Sequence, residues 1–274
     1  MGERALFFER GSHIIGCTFE DGESPLKHSR DILVERSSFG WKYPMWYSES
    51  VEVKDSHLKE TARSGIWYTE NIGMTDCVID APKTFRRAKG VRLTRVKLNN
   101  AEETMWSCRD VYLKDAFVRG DYFCMNCENV YAEGLTLDGN YGFDGCRGVT
   151  VKDSVLNSKD AFWNCEDVRV EHSRIIGEYL AWNSRRVTLV DCHIESNQGL
   201  CYVSELVLDG CTTDMTDLCF EYSTVDARVN SGILSVKNPI SGVIRAESIG
   251  EVILEDERVD TSMTEIIISP KGDA

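Results

Sequence analysis

The chain has 274 residues, 42% of them hydrophobic, enough for the core of one or two domains, and a formal net charge of −14. A field of that sign repels nucleic acid and anionic membrane, so neither is expected as a partner. No apolar run approaches the roughly 20 residues of a membrane-spanning helix, and the opening MGERALFFERG lacks the basic, apolar and cleavage regions of a signal peptide, so the expectation is a cytoplasmic protein.

In chain order, residues 1–20 are expected to form an N-terminal capping coil. From Ile32 a periodicity sets in. Ile32, Val51, Ile72, Val91, Val111, Val130, Val149, Val168, Val187 and Leu206 follow one another at steps of 19 to 21, with Ser12 as an earlier equivalent. Two residues after each comes a second small or apolar residue, as in Val34, Val53, Leu113, Val151 and Leu189, and polar residues such as Glu52, Arg92, Tyr112 and Arg169 lie between. Such alternation marks a half-buried strand. Seven after the valine ruler lie Phe39, Leu58, Ile79, Leu98, Val118, Leu137, Leu156, Ile175 and Ile194; six before it lie Met45, Ile66, Phe85, Met105, Cys124, Phe143, Phe162, Ala181 and Leu200.

Between Arg109 and Val203 the period is a strict 19 residues, repeated five times. A unit this short holds three short strands with their turns and cannot bury a core alone, so it must stack on its neighbours. The expected fold is therefore all-β: a single-stranded right-handed parallel β-helix of about a dozen coils, one domain over residues 1–274. Three inward groups per repeat predict a three-faced coil. From Val225 the repeat blurs, and residues 225–274 are expected to be less regular coils that cap the other end.

The 11 cysteines are odd in number, which favours reduced thiols in a cytosolic chain. Cys108, Cys127, Cys146 and Cys165 keep the step of 19 and are expected as a ladder of small buried side chains. Cys17, Cys77, Cys192 and Cys211 share a second column with Ser37, Ser56, Ala116, Ser154 and Ser173. One CxxC, Cys124 and Cys127, is too little for a structural zinc site, so no metal and no cofactor are expected. Asp55, Asp76, Asp115, Asp153 and Asp191 share a column just after the first strand and are assigned to turns. Asn126, Asn164 and Asn183 suggest a ladder of amides.

The column five residues before the ruler carries Trp46, Trp67, Arg86, Trp106, Met125, Asp144, Trp163 and Trp182, and so holds five of the six tryptophans. One reading is a buried aromatic stack. Against it, Arg86 and Asp144 stand in the same column, and unpaired buried charge is costly. The other reading is an outward aromatic strip that binds a ligand, with Tyr47 and Tyr68 beside it and Arg86 and Arg87 side by side to clamp a carboxylate or phosphate. The ligand class this suggests is a carbohydrate or an acidic sugar. Asp144 is the residue of choice for a general acid or base should chemistry occur, with Asp121, Asp138 and Asp160 as further carboxylates. Arg119, Asp138 and Asn157 form one outward column, assigned to a surface ion-pair ladder.

The strings GERALFFERG, WKYPMWYSES, APKTFRRAKG, GDYFCMNCENV, SKDAFWNCEDV and SVKNPISG resemble a bacterial family of unknown function that is similar to pectin-lyase-like right-handed parallel β-helices. The resemblance covers nearly the whole chain. It implies the fold and no established activity; relatives have carried a hydrogenase label, which clustered cysteine motifs do not back here. The GHG, RIK, WIDH and RxPxxR signatures of polygalacturonases and pectate lyases are absent. A carbohydrate-binding or carbohydrate-active protein, with hydrolase or lyase as the enzyme class, and a non-catalytic structural or protein-interaction solenoid are the two functional expectations.

Overall fold

The computed structural model describes residues 3–270. The chain is a right-handed parallel β-solenoid of about 13 turns, and among the described residues the only helix is the short 3-10 turn Thr261–Met263. It divides into two compact units, Met1–Gly139 and Asn140–Ala274.

In the first unit the six-residue strands Arg30–Glu35, Glu49–Lys54, Glu70–Thr75, Lys89–Thr94, Arg109–Lys114 and Glu128–Glu133 make one parallel sheet. Its register places Ile32 against Val51, Val51 against Ile72, Ile72 against Val91, Val91 against Val111 and Val111 against Val130. The valine ruler is thus a column of facing residues, each at most 2% exposed. A second, shorter sheet aligns Phe39, Leu58, Ile79, Leu98, Val118 and Leu137. The second unit repeats the plan: Arg147–Lys152, Glu166–Glu171 and Arg185–Val190 pair in register, and Leu156, Ile175 and Ile194 align on the shorter sheet. From Ser204 the corners flatten, and the chain runs as three long strands, Ser204–Asp217, Thr224–Lys237 and Ser241–Ile253, closed by Thr264–Ile268. This stretch has longer strands than the coils before it, with register shifts at Asp209/Cys211 and Val229/Gly232 in place of turns.

The expected third strand forms only locally, where Ile66–Trp67 pairs with Phe85–Arg86. Elsewhere that side of the coil is turn, and the cause is backbone handedness. The positions of Cys124, Asn126, Phe143, Phe162, Asn164, Ala181 and Asn183 all have φ between 53° and 66°. Left-handed residues cannot continue an extended strand, and each costs roughly 1–2 kcal/mol in a non-glycine residue. Stacking offsets that cost, because the N–H such a residue turns along the coil axis meets a carbonyl of the next coil. Asp115 N donates to Glu133 O at 2.9 Å, and Asp153 N to Glu171 O at 3.1 Å. The aspartate column is a turn column, with φ from 47° to 53° at Asp55, Asp76, Asp115, Asp153 and Asp191.

Ten of the 11 cysteines are buried, with Cys17 half-buried. Packing is only half of their role. Cys127 Sγ donates to Met105 O at 2.7 Å and accepts from Cys108 N at 3.3 Å, and Ser48, Ser184 and Ser223 donate to carbonyls in the same column. The thiols behave as enlarged serines that tie one coil to the next, which is why Cys and Ser alternate there. Burial pushes the Cys165 thiol up to about 12 and Cys77 up to about 11.

Candidate aromatic binding site

In the first unit the indoles of Trp46 and Trp67 stack 5.2 Å apart at 9°. The Arg86 guanidinium continues the pile, 4.7 Å from the Trp67 ring and 4.5 Å from that of Trp106. Each indole N–H is held internally: Trp46 donates to Ser64 O, Trp67 to Lys83 O at 2.8 Å and Trp106 to Tyr122 O at 2.8 Å. A second ladder runs beside the first. Phe8, His28, Tyr47 and Tyr68 stack at 5.1, 5.1 and 4.8 Å, and Arg87 lies 5.9 Å over Tyr68.

The column is half-buried, between the two alternatives the sequence offers. Its rings turn their faces to one another, so in this unit only their edges meet solvent. A flat platform for sugar faces does not form here. Nor do Arg86 and Arg87 make a paired clamp, since each belongs to a different ladder. Arg86 Nη2 lies 3.6 Å from Glu103 Oε2, while its Nε and Nη2 reach no hydrogen-bond acceptor. The two indole faces stabilise the charge instead, by about 0.5–2 kcal/mol.

The second unit departs from this order. Asp144 accepts from Asn164 Nδ2 at 3.0 Å, and Asn164 Oδ1 accepts from Asn183 Nδ2 at 2.9 Å, so the expected amide ladder forms between Asn164 and Asn183, where Asp144 ends it, and Gly145 separates Asn126 from it. Trp163 and Trp182 are splayed, 6.4 Å apart at 38°. Tyr141 stands at 88° to Trp163, and Tyr179 at 79° to Trp182. These four rings, with Lys159 and Asp160, line a cavity of about 340 Å³.

The cavity has a cause in the sequence. Eleven residues after the ruler the chain carries Tyr122, Tyr141, Asp160 and Tyr179 in successive repeats. Asp160 interrupts this local run of tyrosines, and Tyr141 and Tyr179 on the coils to either side lie two coils apart, roughly 10 Å at the spacing of a sheet. That leaves room for one further layer. Asp160 is 2% exposed and Tyr141 hydrogen-bonds to its carboxylate, yet its Oδ1 has no partner. Burial raises its pKa, against the opposing pull of Lys159. Lys159 Nζ is 3.1 Å from Glu178 Oε2 and 5.2 Å from the Tyr179 ring centre.

Of the expected site residues, Trp163 and Trp182 wall this cavity; Trp46, Tyr47, Trp67, Tyr68, Arg86, Arg87 and Trp106 build the ladders of the first unit. Asp160 was one carboxylate among four. Tyr141, Lys159 and Tyr179 are not among the residues the sequence points to, although tyrosines at the repeat spacing flank Asp160. Of the expected surface ladder the Arg119–Asp138 pair forms, with Nε 3.2 Å from Oδ2.

Asp160→Asn keeps the shape and removes the charge. A carboxyl whose pKa is higher in the folded state favours folding at low pH and loses that advantage as pH rises through the folded value. The variant is therefore expected to be more stable than the parent at pH 7, by on the order of 1 kcal/mol, and to lose the margin below about pH 4. Urea melts at the two pH values check this, and a variant no more stable at pH 7 contradicts it.

Fold and cavity define a parallel β-solenoid with an aromatic-walled notch. The chain belongs to the family DUF3737, proteins of unknown function, whose model matches residues 1–267. Comparison with curated proteins gives no match. Among solved structures, a trypsin-treated variant of QnrB1, a plasmid-mediated fluoroquinolone resistance protein, is 10% identical over 75% of this chain and 90% of its own, with a TM-score of 0.26. HetL, a pentapeptide repeat protein involved in heterocyst differentiation regulation in the cyanobacterium Nostoc, is 10% identical over 77% of this chain and 85% of its own, with a TM-score of 0.23. Likeness at that level carries no inference about this chain, and nothing in these matches supports the expected pectin-lyase likeness.

Proposed function

We propose that this protein is a non-catalytic β-solenoid that binds a ligand in the notch walled by Tyr141, Trp163, Tyr179 and Trp182. One observation carries the reading: Asp160 keeps a buried carboxylate oxygen without a partner at the lining of a cavity. Buried polar atoms are nearly always hydrogen-bonded, and an exception calls for a role. A volume of about 340 Å³ and mostly aromatic walls with few polar groups are the usual make-up of a small-ligand site. Asp144, the carboxylate the sequence suggests for acid–base work, is tied into the asparagine ladder. Neutral sugars stay within the candidate ligands, because Trp163 and Trp182 are not stacked as closely as the indoles of the first unit.

The test fills the notch. Asp160→Tyr makes the run Tyr122, Tyr141, Tyr179 continuous. A mixed library of sugars, amino acids, amines and carboxylates is screened by thermal shift against parent and variant. At least one compound is expected to raise the melting temperature of the parent and leave the variant unmoved. Identical responses of the two across the library overturn the proposal.

A further inference from the structure

Resting on that reading of the notch, we infer that its ligand is a compact organic cation with at least one N–H, an alkylammonium or a guanidinium. Four features point to this class. The walls are aromatic and stand in two orientations, with Tyr141 at 88° to Trp163 and Tyr179 at 79° to Trp182. Rings set at such angles around one space are the kind of wall with which aromatic residues hold ammonium ions. Asp160 lines the notch and its buried Oδ1 is an acceptor without a donor, which an N–H of a ligand that reaches it completes. A cation without an N–H would gain the walls and leave that oxygen orphaned.

The protein also supplies its own model of such contacts. In the first unit a guanidinium, that of Arg86, lies between the rings of Trp67 and Trp106 at 4.7 and 4.5 Å. At the notch itself, the Lys159 ammonium lies 5.2 Å from the Tyr179 ring centre. Charge agrees with chemistry. Lys159 is paired with Glu178 at 3.1 Å, so the lining carries one carboxylate, Asp160, beyond that pair. The net charge of −14 draws cations toward the protein as a whole.

Lys159 gives the inference a signed test. It is a like charge beside the ligand, so removing it should strengthen the binding of a cation and weaken that of an anion. Arginine, agmatine, monomethylammonium, tetramethylammonium and citrulline are titrated calorimetrically into the parent, Asp160→Asn, Lys159→Ala and Asp160→Tyr. Citrulline keeps the shape of arginine and lacks the side-chain charge; tetramethylammonium keeps the charge and lacks the N–H.

Agmatine, arginine or monomethylammonium is expected to bind the parent, citrulline and tetramethylammonium at least about tenfold more weakly. Asp160→Asn should lose about tenfold or more in affinity for the cation and Lys159→Ala should gain several-fold. Citrulline binding as tightly as arginine, or a cation affinity indifferent to Asp160→Asn, overturns the inference. If a sugar or a carboxylate binds the parent and not Asp160→Tyr, while no cation binds, the cation is refuted and the notch remains a binding site. If none of these compounds nor any library member distinguishes the parent from Asp160→Tyr, both fall.

Discussion

Phe85→Ala is expected to lower stability by about 3–5 kcal/mol, and Trp106→Ala by a smaller amount, about 1–3 kcal/mol. Phe85 is 0% exposed, lies opposite Ile66 in the short strand pair and accepts the Trp106 N–H at its carbonyl. Its loss opens a cavity in a core that cannot close over it, because the flanking coils fix the backbone on both sides. Trp106 is half-buried. Its loss takes away one face of the Arg86 sandwich and the bond from Nε1 to Tyr122 O, but little core volume. Urea midpoints at an unchanged slope measure both. Equal costs would make the aromatic column part of the core, and a negligible cost for Trp106→Ala would make it surface decoration.

The strand register was legible to the residue, because a solenoid turns sequence period directly into columns. Ile32, Val51, Val91, Val111 and Val187 all lie where the repeat puts them, and so do Phe39, Leu98 and Ile175. The third strand is not legible, because inward side chains at Cys124, Phe143 and Phe162 are equally compatible with strand and with left-handed turn. What decides between them is the hydrogen bond to the next coil, which the side chains do not encode. In sequence a cysteine reads as a small hydrophobe, because its donor role appears only once a carbonyl stands over it, as Met105 O does over Cys127. The period marks the aromatic column but not its geometry, since it places a residue on a coil and leaves ring tilt open. Asp160 shows the other limit. A column declares itself by what recurs in it, and the notch lies where a run of tyrosines is interrupted.

A solenoid held by columns should tolerate the loss of a whole coil better than the loss of one residue. Deleting residues 187–205 is expected to leave a folded β protein with the notch intact. Leu206 then takes the place of Val187, Leu208 that of Leu189 and Cys211 that of Cys192, because the deleted segment spans one period. Each coil contacts only its neighbours, so the deletion removes one increment of stability and re-forms one interface. Deleting Thr188 alone removes far less chain and should do more damage. Side chains alternate along Arg185–Val190, where Val187 and Leu189 point inward and Arg186 and Thr188 are half-buried between them. A one-residue slip exchanges the two sets. It exposes at least one buried apolar side chain, worth about 1.5–3 kcal/mol, and drives a polar one toward the core. The neighbouring turns have no slack to absorb the slip, because Asn183, Arg186 and Asp191 are each fixed at φ between 48° and 57°. Circular dichroism and urea melts compare the two. The 19-residue deletion should keep a cooperative transition with a strand spectrum, and the single deletion should melt earlier or fail to fold. The opposite order, with the single deletion the more stable, would mean that the coils are held by local loops and not by their columns.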